Sequence, residues 1–289
     1  MTGAEARFGV PGLGPELATI TAAPDPEKVR LWSARAPAYD RLCRRWPIFA
    51  ALSDRLIDLL PADLVGTVLD IGAGSGLTSE RVLARHPRCN VILVDPSEAM
   101  LEIARVHLAG RPAQFFTTGL DSVAASNVRA VAAIASASMH FLDLDAAFAA
   151  LARIVAPRGC VAFNLWYHHW EDTAALAGMA GWQDVARAAC HALQLPRIPD
   201  PATPVPQPKT RSELMAASLR HGFEVLAEHR DEDPTPVAFG VDFQAMSAEW
   251  PVSSQRAEER RVVLDKMHEL AQGRLETLVS TRFLFRRDG

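Results

Sequence analysis

TVLDIGAGSGL, residues 67–77, joins a short apolar segment to three alternating glycines and then to a helical pattern. Val68, Leu69 and Ile71 are typical of a strand that is buried in a parallel sheet. The glycines at 72, 74 and 76 lack a Cβ, so the backbone can turn sharply and approach a ligand with the N–H groups of the following helix. The stretch predicts a nucleotide-cofactor loop that favours a carboxylate or a phosphate.

A second buried strand follows in VILVDPSEAML, residues 91–101, where the apolar run ends at Asp95. Asp95 lies about 20 residues beyond the glycines, which is the spacing that ribose recognition in a βαβ unit requires. Its carboxylate has acceptors only, so it can receive both ribose hydroxyl protons. A dinucleotide fingerprint would need a small residue where Leu77 stands, and the frame is instead D-x-G-x-G-x-G, beginning at Asp70.

This frame, with Asp95 at the end of the next strand, resembles motif I and the second strand of the class I S-adenosylmethionine-dependent methyltransferases. The resemblance extends over residues 67–165. It implies that the 72–76 loop holds the methionine end of S-adenosylmethionine and that Asp95 binds the ribose. The cofactor-binding residues that it implies are Tyr39, Asp70, Gly72, Ala73, Gly74, Asp95, Pro96, Met100, Leu120, Asp121 and Ser136.

Two of these assignments depend on the family's wider pattern. Leu120 stands where the family often has an acid that binds the adenine amino group, so Asp121 is the substitute. The segment Ala36–Asp40 resembles the A-x-x-Y-D stretch that folds an N-terminal helix over the cofactor. Tyr39 then either contacts the carboxylate of the cofactor or only caps the core.

Strand and helix patterns alternate from residue 67, which predicts an α/β fold with a doubly wound sheet. With the resemblance, we expect a mostly parallel, seven-stranded, Rossmann-like sheet in which strand seven is antiparallel, with N-terminal helices and a helical lid. Helix breaks are predicted at Pro37 and Pro47. The expected regions are a flexible arm (1–26), a helical cap (27–66), the cofactor-binding core (67–165), a substrate-side insertion with a Pro-rich connector (166–209), and the C-terminal part of the sheet (210–289) with a lid at 241–278.

The composition of the chain limits which kinds of partner are expected. The 289 residues carry a net charge of −4 without a long Lys and Arg block, so nucleic acid is not expected as a partner. No apolar run approaches the ~20 residues of a membrane span, and the N-terminus lacks a basic start, so we expect a cytoplasmic protein without a membrane partner. We expect a monomer or a homodimer. The four cysteines are scattered along the sequence, so we expect ordinary thiols.

The candidate catalytic residues are histidines. His140 follows the fourth predicted strand, and an imidazole pKa near about 6.5 suits a general base, although a structural role is the alternative. His168 and His169 are the next candidates. No metal is expected, because Ser136, Ser138 and Asn164 stand where metal-dependent members of the family carry carboxylates. Candidate substrate-binding residues, each of which could instead be core, are Met139, Trp166, Tyr167, Trp170, Trp182 and Trp250.

The resemblance implies a methyltransferase that acts on a hydroxyl, amine or carbon of an aromatic or apolar small molecule, with S-adenosylmethionine as the cofactor. Two alternatives stay open at this point. One is an enzyme of the same fold that catalyses a cyclisation or another non-methyl reaction. The other is a cofactor-binding regulatory protein without turnover, because fold alone does not determine function.

Overall fold

The computed structural model describes residues 24–166, 181–195, 209–246 and 257–289. The helices are α1 (Pro26–Arg45), α2 (Pro47–Ile57), α3 (Leu77–Arg85), α4 (Glu98–His107), α5 (Leu120–Ala124), α6 (Leu144–Ile154), α7 (Gly181–Ala192), α8 (Arg211–Arg220), α9 (Val237–Ala245) and α10 (Ala257–Ala271). The strands are β1 (Gly66–Ile71), β2 (Cys89–Val94), β3 (Ala113–Phe116), β4 (Ala130–Ala135), β5 (Val155–Trp166), β6 (Phe223–Pro236) and β7 (Leu275–Arg287). A short 3-10 turn spans Met139–Phe141.

These strands form one seven-stranded sheet with the order β3-β2-β1-β4-β5-β7-β6. Strands β1 to β5 run parallel, and β7 runs antiparallel between β5 and β6. The strand order reverses at the β1–β4 boundary, which is where open α/β sheets form a ligand crevice beyond the carboxyl ends of the strands. The predicted fold class is therefore confirmed.

The apolar core has one layer on each face of the sheet. Phe148 of α6 packs with Phe223 and Phe285 at ring-centroid distances of 5.4 and 5.2 Å on one face. On the other face, Leu56 of α2 and Leu101 of α4 are fully buried with the strand residues between them. A capping side chain marks the start of α4, where the Ser97 hydroxyl accepts the N–H of Met100.

The two predicted proline breaks have different outcomes. Helix α1 is 20 residues long and continues through Pro37, so the break predicted there is wrong. Pro37 is exposed, and the contacts that α1 makes on either side of it offset the roughly 3 kcal/mol that an internal proline costs. The break at Pro47 is confirmed: α1 ends at Arg45, and Pro47 opens α2, where its missing N–H has no helical partner to lose.

The helical lid predicted at 241–278 differs from the structure at both ends. Helix α9 begins earlier, at Val237. Residues 275–278 belong to β7, because Leu275 pairs with Pro236 at the end of the β6–β7 ladder. Pairing with a neighbouring strand here overrides a helical sequence pattern. Across the described ranges, none of the helices combines the length and apolar character needed to cross a membrane.

Candidate cofactor and acceptor site

The three glycines of the loop after β1 adopt a left-handed backbone, with φ angles of 63° at Gly72, 54° at Gly74 and 88° at Gly76. A Cβ on Gly72 would lie 2.5 Å from Cβ of Ser138. A Cβ on Gly76 would lie 3.0 Å from Cβ of Ala104. The loop therefore needs glycine for its conformation at all three positions and for space at two of them.

Asp95 holds this loop from the end of β2. Its Oδ2 accepts the N–H of Gly74 at 2.9 Å, and its Oδ1 accepts the N–H of Ser97 at 2.8 Å. Burial raises the pKa of the Asp95 carboxyl, although the two N–H groups act in the opposite direction. A carboxylate has about four lone-pair sites, so two acceptor positions remain for the hydroxyl groups of a ligand.

Asp70 lies beneath the loop and is only 1% exposed. It accepts the Ser79 hydroxyl at 2.7 Å and also the Ser79 N–H, so it supports the first turn of α3. Burial, with the nearby Asp95 charge, raises the pKa of Asp70 to about 7, although the Ser79 hydrogen bonds oppose this. The structure thus places Asp70 where it supports the loop from below.

Helix α1 covers the loop from above. A Cβ on Gly74 would lie 3.5 Å from Cε1 of Tyr39. Trp32 contacts Tyr39 and Phe141 edge to face, at centroid distances of 5.4 and 6.1 Å. These contacts connect α1 to the loop after β1 and to the turn after β4, so α1 forms one wall of the site.

Tyr39 lies between the apolar core and the glycine loop. Its hydroxyl donates to the Cys43 thiol, one turn further along α1, and its ring packs on Phe49 at 5.9 Å. Burial raises the pKa of Tyr39 well above its usual value, so the hydroxyl stays protonated. Tyr39 therefore caps the core and also faces the glycine loop, and its contact with a cofactor stays a prediction.

The segment after β4 packs against the loop from the other side. The Ser138 hydroxyl donates to the Ile71 carbonyl at 2.5 Å, and the Ala137 N–H donates to Oδ1 of Asn164 at 2.6 Å. Ala137 has a φ of 53°, which costs strain in a residue other than glycine. The ends of β1, β4 and β5 are held together in this way. The sequence does not predict this link, because the positions of Ser138 and Asn164 indicate only that a carboxylate is absent there.

The other predicted cofactor residues lie along the same carboxyl edge of the sheet. Those that are half-buried are Ala73, Pro96, Asp121 and Ser136. Met100 is buried in α4, and Leu120 is buried in the apolar core. Leu120 therefore serves packing, whereas burial raises the pKa of Asp121 at the surface of the site.

His140 lies in the 3-10 turn that follows β4. It is 8% exposed, and its ring lies against Phe141 at a centroid distance of 4.0 Å. Its neighbour Met139 is fully buried among core residues that include Leu144 and Phe148. Met139 is thus positioned by core packing, while His140 lies beside the Phe141 ring that contacts α1.

An aromatic cluster lies beyond the end of β5, and it consists of Tyr39, Trp46, Phe49, Trp166, Phe239 and Phe243. Phe49 is central to it, at 6.1 Å from Trp166 and 5.6 Å from Phe239. Trp166 also contacts Phe243 at 6.0 Å. Because Tyr39 joins the cluster to the glycine loop, an aromatic wall continues from the loop to the end of β5.

Tyr39 and Trp166 were predicted as site residues from the sequence, whereas Phe49, Phe239 and Phe243 were not. A signal for the last two was present, because residues four apart share one face of a helix. The sequence could not show that α2 and α9 bring their phenylalanines to the end of β5, since that depends on tertiary packing. The cluster is therefore assembled from four separate segments of the chain.

Trp182 occupies a different place, in an apolar cluster formed by α7, α9 and α10. Burial raises the pKa of the Glu276 carboxyl to about 7, although the backbone N–H groups of Gly181 and Trp182 act in the opposite direction. A Cβ on Gly240 would lie 3.0 Å from Cβ of Trp182. Trp182 thus belongs to a different apolar cluster from Trp166. The candidates Tyr167, His168, His169, Trp170 and Trp250 lie outside the described residues.

In the part of the chain that the structure describes, no group of three or more His, Cys, Asp or Glu side chains is arranged to hold a metal ion. The expectation that no metal takes part stays a prediction.

Residues 68–159 match a sequence family described as a methyltransferase domain. Demethylmenaquinone methyltransferase from Chlamydia pneumoniae is 33% identical over 94 residues, which are 32% of this chain and 41% of that protein. Trans-aconitate 2-methyltransferase from Acidovorax sp. (strain JS42) is 34% identical over 128 residues, which are 42% of this chain and 48% of that protein. The matched segments thus span less than half of these relatives.

Two solved structures have a similar fold over most of the chain. The cyclopropane synthase MmaA2 from Mycobacterium tuberculosis has a TM-score of 0.52 at 15% identity and covers 83% of this chain and 84% of its own. The mycolic acid cyclopropane synthase CmaA1 has a TM-score of 0.56 at 14% identity, with coverages of 90% and 98%. At such identities the likeness shows the fold alone. Residues 68–159 are therefore similar to methyltransferase domains, and the two solved structures agree with this in fold alone.

Proposed function

We propose that this protein transfers the methyl group of S-adenosylmethionine to a hydroxyl, amine or carbon of an aromatic or apolar small molecule. The observation that carries the proposal is the hydrogen bond between Gly74 and Asp95, which joins the glycine loop to the acid at the end of β2. It brings backbone N–H groups for a carboxylate and free acceptors for a ribose to one crevice.

The residues present fit this cofactor. The left-handed glycines let the loop pack closely against Ser138 and Ala104, where a Cβ at Gly72 or Gly76 would collide. The remaining acceptor positions of Asp95 suit a ribose diol, and Tyr39 covers Gly74 where the methionine end would lie. When bound, S-adenosylmethionine supplies an electrophilic methyl group on its sulfonium, so the protein has to bind and orient the acceptor and exclude water.

The aromatic cluster supports the proposed class of acceptor. Its rings continue from Tyr39 at the loop to Trp166 and Phe243 beyond β5, so an aromatic cluster adjoins the cofactor crevice. Ligand pockets of this kind are lined mainly by apolar and aromatic side chains. One matched relative is named for demethylmenaquinone, a ring compound with an apolar tail, whereas the other is named for the tricarboxylate trans-aconitate. An aromatic wall favours the first kind of acceptor.

His140 is the first candidate for a base where the acceptor has a proton to lose, because it lies in the turn after β4, and packing against Phe141 is its alternative role. His168 and His169 are the other candidates. Orientation and water exclusion supply the remaining catalysis. We further propose a cytoplasmic monomer or homodimer that needs no metal, nucleic acid or membrane as a partner. The net charge of −4 is evidence against a nucleic-acid partner.

Calorimetry with S-adenosylhomocysteine and with NADH tests the proposal. We expect binding of S-adenosylhomocysteine and no binding of NADH, and the reverse result would overturn the cofactor assignment. Mass spectrometry of small molecules that co-purify with the protein then tests the acceptor class. Methyl transfer from labelled S-adenosylmethionine to such a molecule, in the presence of EDTA, would support a metal-independent methyltransferase. Conversion without transfer of label would favour the cyclisation alternative, and tight cofactor binding without turnover would favour a regulatory protein.

A further inference from the structure

We propose that Asp40 is a positioning residue that fastens helix α1 to the glycine loop and thereby sets how tightly the cofactor is held. The inference rests on the proposed function, in that the cofactor is S-adenosylmethionine. Asp40 directly follows Tyr39 in α1, and the Ser75 hydroxyl lowers the pKa of its carboxyl, as a hydrogen-bond donor does. Ser75 lies between Gly74 and Gly76 and is only 3% exposed, so a hydrogen bond between these two side chains would reach into the centre of the loop.

The same carboxylate helps to connect α1 with two further elements. Nε2 of His107, at the end of α4, lies 3.2 Å from both oxygens of Asp40. Nε of Arg44 donates to Oδ1 of Asp40 at 3.0 Å, and Nη2 of Arg44 donates to Glu80 of α3 at 2.6 Å. Asp40 is therefore the shared acceptor of a network that connects α1 and the loop with α3 and α4.

The charge state of Asp40 suits this role. Partial burial acts to raise its pKa, but the hydrogen bonds from Ser75 and His107 and the charge of Arg44 outweigh burial and lower the pKa. The carboxylate is thus ionised at neutral pH and accepts charge-assisted hydrogen bonds, which are stronger than those of a neutral acceptor.

Helix α1 has a second attachment on the other side of Tyr39. Oγ of Ser33 lies 2.8 Å from Oγ of Ser97, at the cap of α4. Between the two attachments stands Pro37, whose missing N–H leaves the Ser33 carbonyl without its helical hydrogen bond. This part of the helix is less able to fix its own geometry, so the position of Tyr39 over Gly74 depends on the side chains that hold it at each end. Asp40 is the attachment nearest to Tyr39.

Removal of the Asp40 carboxylate should therefore affect cofactor affinity and leave the chemical step largely intact. Asp40→Ala is expected to raise the Kd for S-adenosylhomocysteine about tenfold, the loss expected from one charge-assisted hydrogen bond. The KM for S-adenosylmethionine should rise with it, while kcat stays within about threefold. Asp40→Asn should recover part of the affinity, because the amide oxygen still accepts the Ser75 hydroxyl.

The matched control is Asp54→Ala. Asp54 of α2 accepts Nε of Arg81 of α3 at 2.5 Å, so this change also removes an ion pair between elements, but one that does not contact the loop. It should leave the Kd for S-adenosylhomocysteine within about twofold of wild type, because uncoupled sites act independently. Ser75→Ala should lose affinity as Asp40→Ala does, and the double variant should lose little more, because both changes remove the same hydrogen bond.

The outcomes separate the two proposals. Failure of the wild-type protein to bind S-adenosylhomocysteine would overturn the proposed function. Binding by wild type with equal affinities in Asp40→Ala and Asp54→Ala, or additive losses in the double variant, would overturn the role of Asp40. Circular dichroism checks that each variant folds. If Asp40→Ala does not fold, the affinities of Asp40→Asn and Ser75→Ala are compared with that of Asp54→Ala instead.

Discussion

The backbone amide of Gly74 donates to Oδ2 of Asp95 over 2.9 Å, so the glycine loop of one strand and the acid of the next hold each other in place. The second oxygen of Asp95 is fixed by the N–H of Ser97. Both groups are thereby oriented before any ligand arrives. Such preorganisation reduces the ordering cost of binding, and it makes Asp95 important for the loop as well as for the ribose.

Asp95→Ala should weaken the affinity for S-adenosylhomocysteine at least about tenfold, because it removes the charged acceptors for the ribose and releases Gly74. Titration calorimetry measures this loss. Asp184→Ala is the control, since Asp184 pairs with Arg187 on the surface of α7 and its loss should leave the affinity unchanged. Equal affinities in wild type and Asp95→Ala would show that Asp95 is not the ribose ligand.

Gly72→Ala should destabilise the protein more than Gly110→Ala. Both glycines have left-handed backbones, with φ of 63° and 75°, so each change carries the roughly 1–2 kcal/mol cost of that conformation. Only at Gly72 would the new Cβ also lie 2.5 Å from Cβ of Ser138, whereas nothing lies within 4 Å at Gly110. Urea unfolding gives both free energies. Equal losses would mean that the segment carrying Ser138 moves aside without cost.

The buried carboxyl of Asp70 makes stability depend on pH. Burial raises its pKa from 3.8 to about 7 in the folded protein, so the folded state holds this proton more tightly than the unfolded chain. The contribution is fully present below about pH 4 and is lost as the pH rises to about 7. Asp70→Asn should therefore shrink the stability difference between pH 5 and pH 8 by about 1–4 kcal/mol in urea unfolding.

Part of the dependence should persist in that variant, because Glu276 also has a pKa raised to about 7 by burial. Combining Asp70→Asn with Glu276→Gln should flatten the profile further. An unchanged profile in Asp70→Asn would show that this carboxyl is already ionised in the folded protein at pH 5.

The sequence predicted the features that are local in the chain. Strand β1, its glycines and Asp95 lie within 30 residues, and their alternation and spacing predicted both the fold class and the loop. It did not predict that Asp40 would reach Ser75 or that Phe49 would meet Phe239, because these contacts depend on how α1, α2 and α9 pack. The errors at Pro37 and at 275–278 have the same origin, since tertiary contacts there override local propensity.

Phe239→Ala should raise the KM for the acceptor while the Kd for S-adenosylhomocysteine stays within about twofold, because Phe239 lies in the aromatic cluster and not at the glycine loop. The expected rise is about tenfold or more, from the loss of one aromatic contact surface. Phe148→Ala is the control, as Phe148 is fully buried in the core and should cost about 3–5 kcal/mol of stability with little change in KM. A KM unaffected by Phe239→Ala would move the acceptor site elsewhere.

His140→Ala should lower kcat only a few-fold, because a sulfonium methyl group is already reactive and the protein mainly aligns the acceptor and excludes water. His86→Ala provides the comparison: His86 is also buried, at 4% exposure, but it caps the end of α3 away from the aromatic cluster. Similar small losses in the two variants, with unchanged affinity for S-adenosylhomocysteine, would assign His140 to packing against Phe141. A loss of about 10²–10⁴ confined to His140→Ala, with a pH profile that loses one ionisation, would instead identify His140 as a general base.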